Sequence, residues 1–162
     1  MEIKTSLSEK EYISLAFLIA YRRPGTRFIT LLGILFFGLA IYMQVEEGTR
    51  DRLNSAWITP ILAFIILPLT IYLSAKRQFS SNKVVREVTR YRFLPEQLEI
   101  EGESFKSSRA WSTIFKVTRT KNWLLIWHNR QMANPIQLST IWEGDLLGLK
   151  EILAKHDIKN NL

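Results

Sequence analysis

The chain contains no cysteine. Disulfide staples, thiolate metal sites and a cysteine nucleophile are therefore excluded. Histidine is nearly as scarce, with only His128 and His156. His128 closes an apolar stretch, and His156 follows a helical stripe, where a cation suits the helix dipole. No glycine loop of phosphate-cradling spacing occurs, and no His, Asp and Glu cluster has metal-ligand spacing. The pattern predicts neither an enzyme nor a bound cofactor or metal. Charge is missing as well, but only locally. Phe28 to Val45 is 18 residues without a charged side chain, and Leu53 to Ala75 is 23.

Those two runs organise the chain. A helix rises about 1.5 Å per residue, so roughly 20 apolar residues cross a hydrocarbon core of about 30 Å. In lipid the backbone must satisfy its own hydrogen bonds, which predicts two transmembrane helices, 28–45 and 53–75. The first run starts late for a signal peptide, lacks a small-residue cleavage site after it and is followed by a second span. The linker Glu46 to Arg52 is long enough only to reverse the chain, which makes the pair a hairpin. Pro68 should kink the second span, whereas Pro60 lies in its first turns and costs less. Gly33 and Gly38 offer close approach to a neighbouring helix, although their five-residue spacing is not the small-residue motif of helix pairs.

Orientation follows from the basic residues at the span ends. Lys10, Arg22, Arg23 and Arg27 precede the first span, and Lys76, Arg77, Lys83, Arg86, Arg90 and Arg92 follow the second, against Arg50 and Arg52 in the turn. Both termini are expected in the cytoplasm of a multi-pass protein. The net charge is +7. From Lys76 onward 15 basic residues face 9 acidic ones, a balance that suits anionic headgroups. The charge is dispersed and no nucleic-acid motif accompanies it, so no nucleic-acid partner is expected.

Residues 1–27 form an N-terminal segment. Ser8-Glu9-Lys10-Glu11 is a capping box and predicts a short helix over about 9–22. Its apolar part is too short to span. It either lies on the inner membrane surface or packs on the soluble domain. After the second span, Ser80-Ser81-Asn82 breaks the helix. From Lys83 the period becomes two, with strand candidates at 85–93, 98–101, 105–111, 114–120, 123–128 and 136–138. Thr140-Ile141-Trp142-Glu143 reads as a second capping box. Trp142, Leu146, Leu149 and Leu153 then form a core-facing helical stripe, and the tail from Asp157 is expected to fray. The fold class is thus a two-helix transmembrane hairpin followed by a small bent antiparallel sheet over 83–162, capped by a C-terminal helix.

Arg86, Arg90 and Arg92 share one parity and would form a basic strand face. With Arg22, Arg23, Arg27, Lys76 and Arg77 they are the candidate lipid-facing residues. Glu99, Glu101 and Glu103 also recur every second residue; a solvated strand face with cross-strand cations explains them better than a cation site. Trp123 and Trp127 share one face of a strand whose other face carries Leu124 and Ile126. Such a strand is either central in its sheet or presents aromatics to a partner.

Tyr91-Arg92-Phe93, Leu98-Glu99-Ile100, Trp111-Ser112-Thr113-Ile114 and the strand around Pro135, after two spans, resemble the YcxB-like family of bacterial inner-membrane proteins. The residues after the proline, Ile136-Gln137, depart from the basic residue often found there. The resemblance implies a domain similar to a pleckstrin-homology-type domain, a bacterial inner-membrane location and no catalytic activity. The expected function is to tether that domain for interaction with a protein partner or anionic lipid, with a homo-oligomer open. The alternative is a small accessory subunit of a transporter or other membrane complex, contacting it through the hairpin.

Overall fold

The structure is a computed structural model that describes residues 1–46, 57–130 and 132–162. Most of the expected turn from Glu46 to Arg52, and the start of the second apolar run, lie outside the described residues. The chain divides into two compact units. One joins Met1–Ser8 to Asn82–Leu162, and the other is Glu9–Ser81.

The first unit is built on period-two alternation. Strand β1 (Glu2–Thr5) buries Ile3 and Thr5 and exposes Glu2 and Lys4. It pairs antiparallel with β2 (Thr89–Phe93), Ile3 opposite Tyr91 and Thr5 opposite Thr89. Strands β3 (Gln97–Glu101) and β4 (Lys106–Ala110) complete a four-stranded sheet in the order β1-β2-β3-β4. A 3-10 turn at Trp111–Thr113 breaks the sheet. A second sheet follows, β5 (Lys116–Arg119), β6 (Trp123–Trp127) and β7 (Ala133–Gln137), in that order. The expected single six-stranded sheet is therefore two antiparallel sheets, with seven strands among the described residues.

Both sheets and the C-terminal helix α6 (Glu143–Lys155) share one core. It holds Tyr91, Phe93, Leu98 and Ile100 from the first sheet, Leu124, Ile126 and Ile136 from the second, and Leu149 and Leu153 from the helix. Each buried aliphatic or aromatic side chain contributes about 1.5–3 kcal/mol. Trp111 is fully buried, and its indole Nε1–H donates to the Leu94 carbonyl at 2.9 Å. Phe93 and the His156 ring stack on it. Strand β6 is central and buried along its whole length, which settles the reading of Trp123 and Trp127.

Several expectations are corrected here. Strand β1 lies in a segment expected to hold only a helix. The expected strand 85–93 starts at Thr89, because β1 ends opposite it and no strand pairs with the residues before it. Those residues form a single helical turn, α5 (Lys83–Arg86), with the Asn82 side chain accepting from the Val84 N–H at 3.0 Å. Arg86 therefore is not on the strand that carries Arg90 and Arg92. The second capping box does not form. The Thr140 hydroxyl donates to the Gln137 carbonyl, α6 starts at Glu143, and Trp142 is 76% exposed rather than core-facing. Nor is the tail frayed: Ile158 is buried, and Val117 N–H donates to the Lys159 carbonyl at 3.0 Å.

The second unit is helical. Helix α1 (Glu9–Arg22) starts directly after Ser8 and gives way at Arg23 to α2 (Pro24–Glu46). The return path is α3 (Ile58–Ile61), a π-helical segment Leu62–Ile66, and α4 (Leu67–Ser81). Pro68 has no N–H to offer the Phe64 carbonyl and would clash with it. The wider turn answers this, with the Leu67 N–H donating to the Leu62 carbonyl five residues back. Helix α2 packs on α3 and the π segment, where Phe37 meets Trp57 and Phe64 edge-on. A Cβ at Gly33 would overlap that of Ala63, whereas Gly38 faces open space.

Helix α1 packs along α4, with Tyr12 against Phe79 at 5.8 Å between ring centroids. Leu15 and Ala75 are the buried residues of the two helices. The N-terminal helix thus covers the apolar end of the second run. Two helices, Pro24–Val45 and Ile58–Ser81, are long and apolar enough to cross a membrane.

Candidate functional site

The outer face of the first sheet gathers four of the charged residues that the sequence singles out, Arg90, Arg92, Glu99 and Glu101. Register fixes its composition. One rung runs Glu2, Arg92, Glu99 and Ser108; the next runs Lys4, Arg90, Glu101 and Lys106. Glu2 bridges two cations, with its carboxylate 3.1 Å from Arg90 Nε and 3.2 Å from Arg92 Nε. Arg92 Nη1 lies 3.3 Å from Glu101 and 3.7 Å from Glu99. One Glu101 oxygen, Oε2, is buried and has the Arg92 ion pair without a well-directed hydrogen bond. Glu99 and Glu101 are thus partners of a strand cation, as the alternation suggests. No group of three or more metal-ligating side chains occurs among the described residues.

Beside the second rung is an open recess of about 250 Å³, lined by Lys4, Val88, Arg90, Glu101, Gly102 and Glu103. Next to Gly102 lies the Glu87 carboxylate, which accepts from both the backbone N–H and the hydroxyl of Ser104. Those two bonds hold the Glu87 carboxyl below the usual carboxylate range. The recess offers two cations, Lys4 and Arg90, and two carboxylates, Glu101 and Glu103. It can hold a small ion or a headgroup fragment by charge.

The remaining candidate residues lie apart. Arg22, Arg23 and Arg27 surround the junction of α1 and α2, where Arg27 Nε donates to the Tyr21 carbonyl. Lys76 and Arg77 are on α4 within a turn of Phe79, the residue that meets Tyr12. Arg22 is ten residues from Tyr12, about 15 Å along the helix. Arg90 and Arg92 are ion-paired, and Arg86 is in α5.

The histidines have structural surroundings. His156 Nε2 is 2.7 Å from the Pro95 carbonyl. Next to it Lys155 Nζ donates to Glu96 at 2.8 Å, which lowers the Glu96 carboxyl. His128 is shifted below the ordinary histidine value, first by burial and then by the charge of Arg109.

Compared with known proteins, the chain matches no family model and has no significant match to a curated protein or a solved structure.

Proposed function

We propose that this is a non-enzymatic membrane protein whose hairpin spans the bacterial inner membrane and tethers a pleckstrin-homology-like domain on the cytoplasmic side. The domain serves as an interaction module for a protein partner or for anionic lipid. One observation carries the reading. Two helices that bury only 11% and 17% of their apolar windows are inserted between paired strands of a single folded unit. So little burial suits lipid as the surrounding phase. Pairing of β1 with β2 ties both ends of the insertion to one unit, which favours both ends on one side of the bilayer. The basic residues at the span ends favour the cytoplasmic side.

The two sheets of four and three strands, closed over one core by a C-terminal helix, support the pleckstrin-homology-like reading. The sequence resemblance to YcxB-like proteins points the same way. An interaction role is favoured over catalysis because the strand charges are engaged in cross-strand pairs.

The absence of cysteine makes the test direct. Single Thr49→Cys and Ser139→Cys variants are labelled in intact spheroplasts with a membrane-impermeant maleimide. Labelling of the first from outside and of the second only after lysis is expected. Equal labelling of both, or the reverse pattern, would refute the topology.

A further inference from the structure

A β-sandwich of open sheets has strand edges to protect, because unpaired N–H and C=O groups at an edge recruit other strands. Three of the four edges here are covered or interrupted over at least part of their length. Along β5 the outward groups are taken by the C-terminal tail. Val117 N–H donates to the Lys159 carbonyl, Arg119 N–H donates to Asn161 Oδ1 at 2.7 Å, and Asn161 Nδ2 donates back to the Arg119 carbonyl. On β7 the outward positions are Ala133, Pro135 and Gln137; the central one, Pro135, has no N–H, its carbonyl accepts from the Tyr91 hydroxyl, and the Gln137 carbonyl accepts from the Thr140 hydroxyl. Strand β1 lies against the 3-10 turn Leu138–Thr140, and Gln137 Nε2 donates to the Ser6 carbonyl.

Strand β4 is different. The bonds from Gly102 N–H to Phe105 O and from Trp111 N–H to Glu96 O fix the parity of its ladder with β3. Ser107 and Arg109 turn their backbone groups toward β3, opposite Ile100 and Leu98. Lys106, Ser108 and Ala110 therefore turn theirs outward. Of these outward groups, only the Ala110 carbonyl has a partner among the described residues, the Thr113 hydroxyl. Four of the five strand residues are exposed.

We propose that the open edge of β4 is a docking site for an extended acidic segment of a partner protein, added as a further antiparallel or parallel strand. The proposal rests on reading the β unit as an interaction module. Charge selects the occupant. Lys106 and Arg109 make no ion pair among the described residues, and β4 has no carboxylate. A second copy pairing through the same edge would bring together four cations and no anion, which like-charge repulsion disfavours. An incoming strand with carboxylates three residues apart places one on each face, opposite Lys106 and Arg109. Backbone bonds would supply affinity and the two cations selectivity.

The test uses the full chain in mild detergent and a fluorescein-labelled peptide, Gly-Thr-Glu-Val-Thr-Asp-Val-Gly, read by anisotropy. Binding is expected, with at least a tenfold loss when both acidic residues of the peptide become Lys. Ser108→Pro deletes an outward N–H at an edge position, where proline is compatible with the strand as at Pro135. It should fold, as checked by its melting curve, and bind at least tenfold more weakly, while Ser108→Ala stays within about twofold. Failure of the wild type to bind, or binding indifferent to Ser108→Pro, overturns the proposal. Crosslinking in cells separates the two levels. A partner captured equally by wild type and Ser108→Pro removes the β4 assignment and leaves the interaction module standing. No captured partner together with no peptide binding removes both.

Discussion

Trp111 joins three parts of the β unit: the sheet through Phe93, the C-terminal helix end through His156, and the turn after β2 through its bond to Leu94. Trp111→Ala should cost about 3–5 kcal/mol of unfolding free energy, measured by urea melts followed by circular dichroism. Protonation supplies a second prediction at this scale. Glu87 and Glu96 have lowered carboxyl values, so their stabilisation is complete above about pH 4.5 and is lost as the pH falls through the lowered values. His128 is also lowered, so the unfolded chain takes up its proton first and stability declines as the pH falls below about 6.5. The thermal midpoint should fall between pH 7.5 and 5.5. His128→Gln should flatten that part of the profile, and Glu87→Gln only the part below about pH 4.5.

The elements show which parts of a sequence speak for themselves. Leu98-Glu99-Ile100-Glu101 alternates with apolar residues inward and paired charges outward, so both strand and face were legible. The apolar helices were legible because nothing interrupts them. Strand β1 was not, since four residues of alternation are little signal until the distant partner is known. Trp142 misled because indole at helical spacing reads as core, while Gly144 beneath the ring leaves space for it to lie on the surface. The charge-paired face was legible in Glu99 and Glu101. The open edge of β4 was not, because it depends on the register with β3 and on no other segment coming to lie beside it. Within the hairpin, Gly33→Leu should force α2 away from Ala63 and cost about 1–3 kcal/mol, whereas Gly38→Leu should be nearly neutral. Thermal melts in detergent compare the two.

For the whole molecule the governing fact is that the helical unit interrupts the β unit after its first strand. Ile3 is buried opposite Tyr91. Ile3→Asp should therefore abolish the cooperative melting of the β unit while the helical signal of residues 9–81 persists. Trypsin would then cut the variant after Arg90 or Arg92, sites the paired strands protect. Thr89 follows Thr5 by 84 residues in the chain. At about 5–20 residues per second of synthesis, β1 waits several seconds for its partner. Both helices of the hairpin leave the ribosome during that delay. In a membrane-spanning hairpin, a chain inserted with a single crossing would hold β1 and β2 on opposite faces of the bilayer, and the sheet could never close. In such a chain, completion of the β unit would act as a proofreading step on insertion, with the unpaired strand of a misinserted chain open to quality-control proteases.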